Sequence, residues 1–527
     1  MFIRGDWFFV LLSLLTTAFM AKPYIYVIQQ DNYRLKGIFK SKMIRSAFLV
    51  DLVTMLIFAV IFALASLLHS RAFWGFLIAM FFYITEIVLY FVEDGDKKKP
   101  LKYTKRAVRG FAFVILAETA VTTLLFFHLS GVFQDDDAFL RYIAILIFPL
   151  IYPLVFLISM AVENAFEWLN NCRYEQRTKR QLKKGNLLKI AITGSYGKTS
   201  VKIFLRDILG VRYKVLATPE SYNTPMGIAK TVGSLDISHQ VFVAEMGARR
   251  RGNIKKLMKI VDPDIAILTG INSQHLETFE TKENSIEEKL QILRLLKKDG
   301  KAFVNGNLKG LIDENADIEA DKIVFAGCEG NAVYASDIAI GQDGSVFKLH
   351  FGGEVFVVST RLIGTHNVEN LALASSVAYA LGVSPRHIVE RIATIESVPH
   401  RLQLISGDVV RIIDDTFNGN PDGARIALET LKCFMGRRVV VTPGLVELGE
   451  REKEENCRLG KSISEVADVV VLIGGHRVEY IRSGMVDFQG EVLHFASLKE
   501  AEKSFKDFIH MGDIILLLND LPDIYED

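Results

Sequence analysis

Residues 187–200 read LLKIAITGSYGKTS. The run 187–192 is apolar apart from Lys189 and reads as a buried strand, while SVKIFLRDILG, from Ser200, reads as an amphipathic helix. A glycine-punctuated turn joins them. Gly194 and Gly197 allow the backbone to turn and present N–H groups, and the helix N-terminus that follows favours anions. The segment Gly194, Ser195, Tyr196, Gly197, Lys198, Thr199 and Ser200 is therefore a candidate triphosphate cradle. Lys198 is placed to reach the β- and γ-phosphates and Thr199 to hold Mg2+. The match to G-x-x-x-x-G-K-[ST] is imperfect, because position 192 is Ile rather than Gly.

Downstream, HQVFVAEMG, PDIAILTGI, GKAFVNGN and DKIVFAG read as further buried strands, with RGNIKKLMKIV as an amphipathic helix among them. That alternation predicts a parallel sheet wrapped by helices. Ligands of such sheets gather at the C-terminal ends of the strands. Glu245 closes one strand and His275 follows another, so both fall at that edge. Each is either an ordinary polar loop residue or a ligand for a divalent metal near the phosphates, and their shared position favours the second.

Upstream, the chain changes character. The full length of 527 residues is enough for three or four domains, and the net charge of +1 gives no case for nucleic acid binding. Cys172, Cys328, Cys433 and Cys457 are far apart and suggest neither a zinc site nor a disulfide framework, which points to a reducing compartment. Apolar stretches near 7–29, 46–69, 72–92, 110–133 and 138–162 predict about five α-helical membrane spans, the first interrupted by Lys22 and Pro23. A cleaved signal peptide is the alternative for that first stretch. Loops 31–45 and 93–109 carry five and seven Lys/Arg, which predicts an external N-terminus and cytoplasmic placement of everything after residue 163. Asp51, Glu86 and Glu118 fall within or near these stretches. They are either at span ends, protonated or paired (Arg141 is a candidate partner), or they line a headgroup or substrate groove. Residues 163–187 hold six Lys/Arg after Cys172 and predict a basic linker helix, either a plain anchor or a segment lying on anionic lipid. The expected organisation is a membrane region over 1–162, the linker over 163–187, an α/β ATP-binding domain over 188–396 and a second α/β domain over 397–527.

The motifs TGSYGKTS, NTPMG, VAEMGA, PDIAILTGINSQHLETF, SIEEK, IGTHNVENLALA, PHRLQ, DDTFNGNPDG and VVTPGLVELGE occur in this order. Together they resemble the Mur ligases, and most nearly the branch that adds D-alanyl-D-alanine, over about residues 188–515. The resemblance implies an ATP- and Mg2+-dependent amide ligation in cell-wall precursor synthesis. An acceptor carboxylate takes the γ-phosphoryl group, and an amine attacks the acyl phosphate. It implies that Lys198, Lys289 and His275 serve catalysis, and that Thr199, Glu245, His275 and Lys289 hold metal. Lys289 lies eleven residues before Gly300, the offset the family shows for a lysine that becomes a carbamate; on the residues alone it is a solvated lysine of the run EEK. His366, Asn367, Arg401 and Asp415 are implied in nucleotide binding, with Asp415 suited to ribose hydroxyls and Arg401 to phosphate.

Three departures stand out. Phe417 occupies a position where the family pattern has Tyr. The C-terminal GDIILLLNDL has Leu518, Asn519, Asp520 and Leu521 where the family has Lys-Gly-Ser-Arg. The apolar N-terminal third stands where the family carries its UDP-sugar domain. These leave the acceptor open: a soluble nucleotide-linked peptide, a lipid-linked precursor, or a poly-γ-glutamate-type polymer, with an amino acid or dipeptide as the amine. Membrane lipid and wall-synthesis proteins are the expected partners. A non-catalytic ATP-binding scaffold and an NTP-driven transporter are the readings from other classes.

Overall fold

The computed structural model describes residues 3–30, 33, 35, 42–65, 77–78, 80–82, 84–85, 102–132, 148–271, 279, 281–315, 317–407, 409–417, 419–446 and 448–519. The chain divides into two compact units, Met1–Cys172 and Arg173–Asp527.

The first unit is helical: α1 (Ile3–Gln30), α2 (Lys42–Ala65), α3 (Lys105–Val132) and the start of α4 (Phe148–Leu182), which runs across the boundary. Among the described residues no helix is long and apolar enough to cross a membrane. The expected five-span region is thereby corrected, and with it the multi-pass placement in the cytoplasmic membrane, the orientation drawn from the loops and the lipid partner. Polar residues interrupt the apolar runs. Helix α1 contains Arg4, Asp6, Lys22 and Pro23, and α2 contains Lys42, Arg45 and Asp51. Helix α4, 35 residues in all, continues past 162 through the basic stretch to Leu182. Arg109 of α3 pairs with Glu163 at 3.1 Å and also with Glu167, and Arg106 donates to Asn164. These pairs tie α3 to α4 through charge rather than through apolar surface alone. Glu118 is buried, and neither carboxylate oxygen has a hydrogen-bond partner among the described residues. Glu86, Arg141 and the side chain of Asp51 lie outside them.

The second unit is built on two parallel sheets. The first has the order β2-β3-β1-β4-β5-β6, with β1 (Leu188–Thr193), β2 (Val215–Ala217), β3 (Val241–Glu245), β4 (Ile265–Leu268), β5 (Lys301–Asn305) and β6 (Ile323–Ala326). The expected buried strands form here. Side chains alternate between faces: Ile190, Ile192, Val241 and Val243 enter one core, and Ala191, Phe242 and Ala244 the other. Strand β1 is central. The chain leaves it to build β2 and β3 on one side, then β4 to β6 on the other. The crevice of such a sheet opens at that reversal, past the C-terminal ends of the strands. Five helices matter to the site: α5 (Lys198–Leu209), α6 (Pro225–Val232), α7 (Asn253–Val261), α8 (Lys282–Arg294) and α9 (Thr365–Ala380).

An antiparallel sheet of β7 (Val333–Gly341), β8 (Gly344–Phe351) and β9 (Glu354–Thr360) adds a layer that the strand–helix alternation does not predict. Its buried residues Phe347, Leu349 and Val358 join the same core as Ile190 and Val368.

The second sheet has the order β10-β11-β15-β12-β13-β14, antiparallel only at the β10 edge. Its strands are β10 (Gln403–Ser406), β11 (Arg411–Asp415), β12 (Arg438–Thr442), β13 (Val469–Ile473), β14 (Glu491–Phe495) and β15 (Ile514–Leu518). Helices α10 (Glu452–Ser464) and α11 (His476–Gly484) pack on it so closely that two glycines are required. A Cβ at Gly460 would overlap the Ile481 carbonyl oxygen, and one at Gly484 the Cys457 carbonyl oxygen. The contact positions Asn456 of α10, whose amide holds both backbone groups of Leu445 at 2.8 and 3.0 Å, fixing the loop after β12 at the sheet's C-terminal edge.

Alanine in place of glycine normally gains up to about 1 kcal/mol in a helix. At Gly460 the overlap reverses the sign, and Gly460→Ala is expected to destabilise the protein by about 1–3 kcal/mol. Urea unfolding monitored by circular dichroism checks this: the midpoint falls, whereas an unchanged or raised midpoint contradicts the close helix approach.

Candidate active site

The turn after β1 is held by main-chain and hydroxyl contacts to the end of β4. Ser195 N donates to Gly270 O at 2.6 Å, Thr269 N to Thr193 O at 3.0 Å, and the Thr269 hydroxyl to Tyr196 O. Gly197 has φ 76° and caps α5, a left-handed conformation that favours glycine. A Cβ there would lie 2.8 Å from Asn370 Oδ1, so the turn and α9 are in close contact. Ser195, Thr199 and Ser200 are buried, and Tyr196 is half-buried. Lys198 folds back over the turn, its Nζ donating to Gly194 O at 2.8 Å and Ser195 O at 3.1 Å. Burial lowers its pKa to about 8, with Arg401 adding to the effect and Glu245 opposing it.

Glu245 ends β3 beside this turn and is almost fully buried. Its Oε2 accepts from the Thr199 hydroxyl at 3.0 Å and from Lys202 Nζ at 2.8 Å, and its Oε1 from Asn223 Nδ2 at 3.2 Å. Burial works against the carboxylate, but Lys202 and Lys198 outweigh it and hold the pKa below the usual range. Lys202 and Asn223 were not singled out in the sequence. Lys202 lies one turn beyond Lys198 and Thr199, on the same face of α5, which is the signal that identifies it. Asn223 belongs to NTPMG, a motif read only as part of the family pattern.

Lys289 projects from α8 and is buried rather than solvated. Its Nζ donates to the Ser285 hydroxyl and lies 5.3 Å from the centre of the Phe279 ring. Burial lowers its pKa to about 7, and the charge on Lys198 adds to the effect, so the two lysines face one electrostatic environment. His275 lies outside the described residues. Among those residues no group of three His, Cys, Asp or Glu side chains is gathered to hold a metal. Thr199 and Glu245 do bring two hard oxygen donors together, the type that Mg2+ takes alongside water and phosphate.

The remaining candidates approach from other elements. His366, in the first turn of α9, is half-buried, its Nδ1 is without a hydrogen-bond partner among the described residues, and burial lowers its pKa to about 4, leaving the ring neutral. The Asn367 amide turns back to Ile363 O at 2.9 Å. Asn370, one turn beyond His366, was missed in the sequence; it is buried beside the glycine turn, and its Nδ2 has no hydrogen-bond partner among the described residues. Arg401 carries its guanidinium 4.6 Å from the centre of the Phe417 ring, so the residue standing in place of Tyr provides an aromatic face for the cation. Asp415 ends β11 and accepts from Leu402 N at 3.0 Å, and burial lifts its pKa to about 6. At the end of β15 the departure from the family pattern is partly conservative. Asn519 has φ 61°, a conformation Asn tolerates where Gly is usual. Leu518 is fully buried and supplies no cation. Asp520 and Leu521 lie outside the described residues.

The description "Mur ligase middle domain" matches residues 192–378, and "Mur ligase, glutamate ligase domain" matches residues 400–519. The UDP-N-acetylmuramoyl-tripeptide–D-alanyl-D-alanine ligase of Bacillus subtilis is 27% identical over 347 residues, covering 65% of this chain and 75% of its own. The enzyme of that name from Buchnera aphidicola subsp. Baizongia pistaciae is 30% identical over 281 residues, covering 53% of this chain and 61% of its own. Among solved structures, MurF ligase from Thermotoga maritima in complex with ADP matches with a TM-score of 0.62 and 26% identity over 67% of this chain and 81% of that one. MurF from Acinetobacter baumannii matches with a TM-score of 0.60 and 28% identity over 66% and 77%. With both the middle and the C-terminal modules matched around the geometry above, the chain belongs to the Mur ligase family.

Proposed function

We propose that this chain is an ATP-dependent ligase of the D-alanyl-D-alanine-adding type, acting in peptidoglycan precursor synthesis. The supporting observation is the convergence of Lys198, the Thr199–Glu245 pair and Lys289 on one sheet edge. In the reaction an acceptor carboxylate oxygen attacks the γ-phosphorus and ADP departs, leaving an acyl phosphate. An amine then attacks the acyl carbon, inorganic phosphate leaves, and the nitrogen loses a proton to give the amide.

Phosphoryl transfer asks a protein for positioning and charge neutralisation more than covalent help. The turn Gly194–Thr199 suits phosphate oxygens, and Lys198 exchanges its two carbonyl contacts for them. Thr199 and Glu245 would hold Mg2+, which neutralises developing phosphate charge when bound. Lys202 and Asn223 keep the Glu245 carboxylate aimed at Thr199. His366, Asn367 and Asn370 offer neutral polar groups for a base, Asp415 for ribose hydroxyls, and Arg401 for phosphate.

Lys289 suits a carbamate because only the neutral amine adds carbon dioxide. With its pKa near 7, the neutral fraction at pH 7 is about a thousandfold larger than for an ordinary lysine. The adduct is an anion with two oxygen donors, within the electrostatic reach of Lys198.

Four outcomes test this reading. Lys198→Ala is expected to lower ADP release by about two to three orders of magnitude, as loss of electrostatic stabilisation does; near wild-type turnover contradicts the phosphate assignment. Wild-type activity should fall in carbon-dioxide-depleted buffer, most steeply below pH 7 where Lys289 is protonated. Lys289→Ala should be inactive and partly restored by a short-chain carboxylic acid; neither depletion loss nor rescue leaves the carbamate without support. Finally, ADP release should track amide formation with UDP-linked tripeptide and D-alanyl-D-alanine, while a response only to a glutamate polymer overturns the substrate assignment.

A further inference from the structure

The segment 249–260, RRRGNIKKLMKI, carries six cations and no acid, in a chain whose net charge is only +1. Helix α7 buries Ile254, Leu257, Met258 and Ile260, so Lys255, Lys256 and Lys259 project outward. Arg249, Arg250 and Arg251 are exposed on the loop that leads into it. This loop leaves β3 two residues past Glu245, and Gly247 N bonds the backbone of Asn223, whose side chain holds Glu245. The basic surface therefore begins at the rim of the proposed active site.

Much of the loop's backbone is already bonded within the protein. Arg249 N and Arg250 N both donate to Asn253 Oδ1 at 3.1 Å. The two oxygens of Glu288 accept from Gly252 N and Ile254 N at 2.7 Å each, so a carboxylate already occupies these donors at the N-terminus of α7. What remains available is guanidinium and ammonium. Arg251 donates to Asn284 of α8, the helix that carries Lys289 five residues on, about 7.5 Å along its axis. Lys256 pairs with Glu175. Arg249, Arg250, Lys255 and Lys259 have no ion pair among the described residues, although exposed charges elsewhere in this unit are widely paired. Unpaired, closely spaced cations on a fixed loop repel one another unless a polyanion joins them.

We propose that Arg249 and Arg250, with Lys255 and Lys259 behind them, bind the diphosphate of the acceptor substrate. This rests on the ligase reading for its purpose, since a diphosphate-linked acceptor must be held with its carboxylate turned toward Lys198 and Lys289. Bidentate guanidinium contacts suit phosphate oxygens. The carrier of the diphosphate is a nucleoside or a prenyl chain.

The test is calorimetric titration of the full chain with ADP and Mg2+ at saturation, so that the nucleotide turn is occupied. UDP is the probe in one arm and farnesyl diphosphate in the other. Wild type should bind at least one of them, and the one it binds identifies the carrier. Arg249→Ala/Arg250→Ala should weaken that binding at least about tenfold, with added salt weakening wild type more than the variant. Arg249→Lys/Arg250→Lys should retain part of the affinity. Both arginines are exposed and bond through their backbones, so circular dichroism should show folding unchanged. Equal affinity in wild type and the alanine variant, or no binding of either probe to wild type, overturns the proposal. Binding is read without ligation, so an inactive chain that still binds UDP through these arginines counts against the ligase reading and for the basic face.

Discussion

The Glu245 carboxylate is the constraint on which the site rests. It ends β3, the strand between β2 and central β1, in the interior, and its solvation has been replaced by three donors: Thr199, Lys202 and Asn223. A buried charge of this kind is tolerable only while its partners remain, and removal of one partner from a buried pair costs about 3–5 kcal/mol. The arrangement therefore fixes three elements together. Helix α5 cannot rotate without losing both Thr199 and Lys202, and the 218–224 loop cannot move without losing Asn223 and the Thr218 hydroxyl bond to Glu245 N. The glycine turn between β1 and α5 inherits its position from these anchors. A hydrophobic residue at 245 would not hold Thr199 at the edge proposed for phosphate chemistry.

Much of this was legible in the sequence because it depends on short-range patterning. Apolar runs of strand length, glycine pairs and amphipathic helices identified the first sheet and the turn. The ordered motifs led to Glu245, Lys289, His366, Arg401 and Asp415. Three features escaped, each for a physical reason. Lys202 looks solvated on a helical wheel, and only the tertiary position of Glu245 makes it a buried partner. Asn370 acts through the approach of α9 to Gly197, a contact of residues far apart in sequence. The β7–β9 sheet has the half-buried alternation of an antiparallel meander, which a search for continuous apolar strands passes over. The N-terminal third failed in the opposite direction. Composition there pointed to membrane spans, but the described helices carry charges within their runs and pair them across α3 and α4.

The C-terminal edge of the second sheet carries side chains that differ from the family pattern. Asn519 keeps the left-handed backbone expected of a glycine, and Leu518 removes the positive charge the family pattern places beside it. Phe417 loses a hydroxyl yet retains an aromatic face, on which Arg401 lies. At both positions the polar equipment differs from the family pattern. Loss of charge at this edge alters what it can recognise.

The two depressed lysines are best understood together. In this structure Lys198 and Lys289 are both buried, and each has a pKa below the ordinary lysine value. The like charge of Lys198 helps keep Lys289 neutral. A neutral Lys289 is what addition of carbon dioxide requires, whereas phosphate binding requires a charged Lys198. Carbamate formation at Lys289 would satisfy both demands. It replaces a group that competes with Lys198 for positive charge by an anion that favours it, and so raises the Lys198 pKa from about 8 toward full protonation. The repulsion that activates one lysine is converted by that reaction into an attraction that charges the other. On this reasoning the burial of two cations near each other, a cost to stability while both remain amines, is the condition that lets the site assemble its charge.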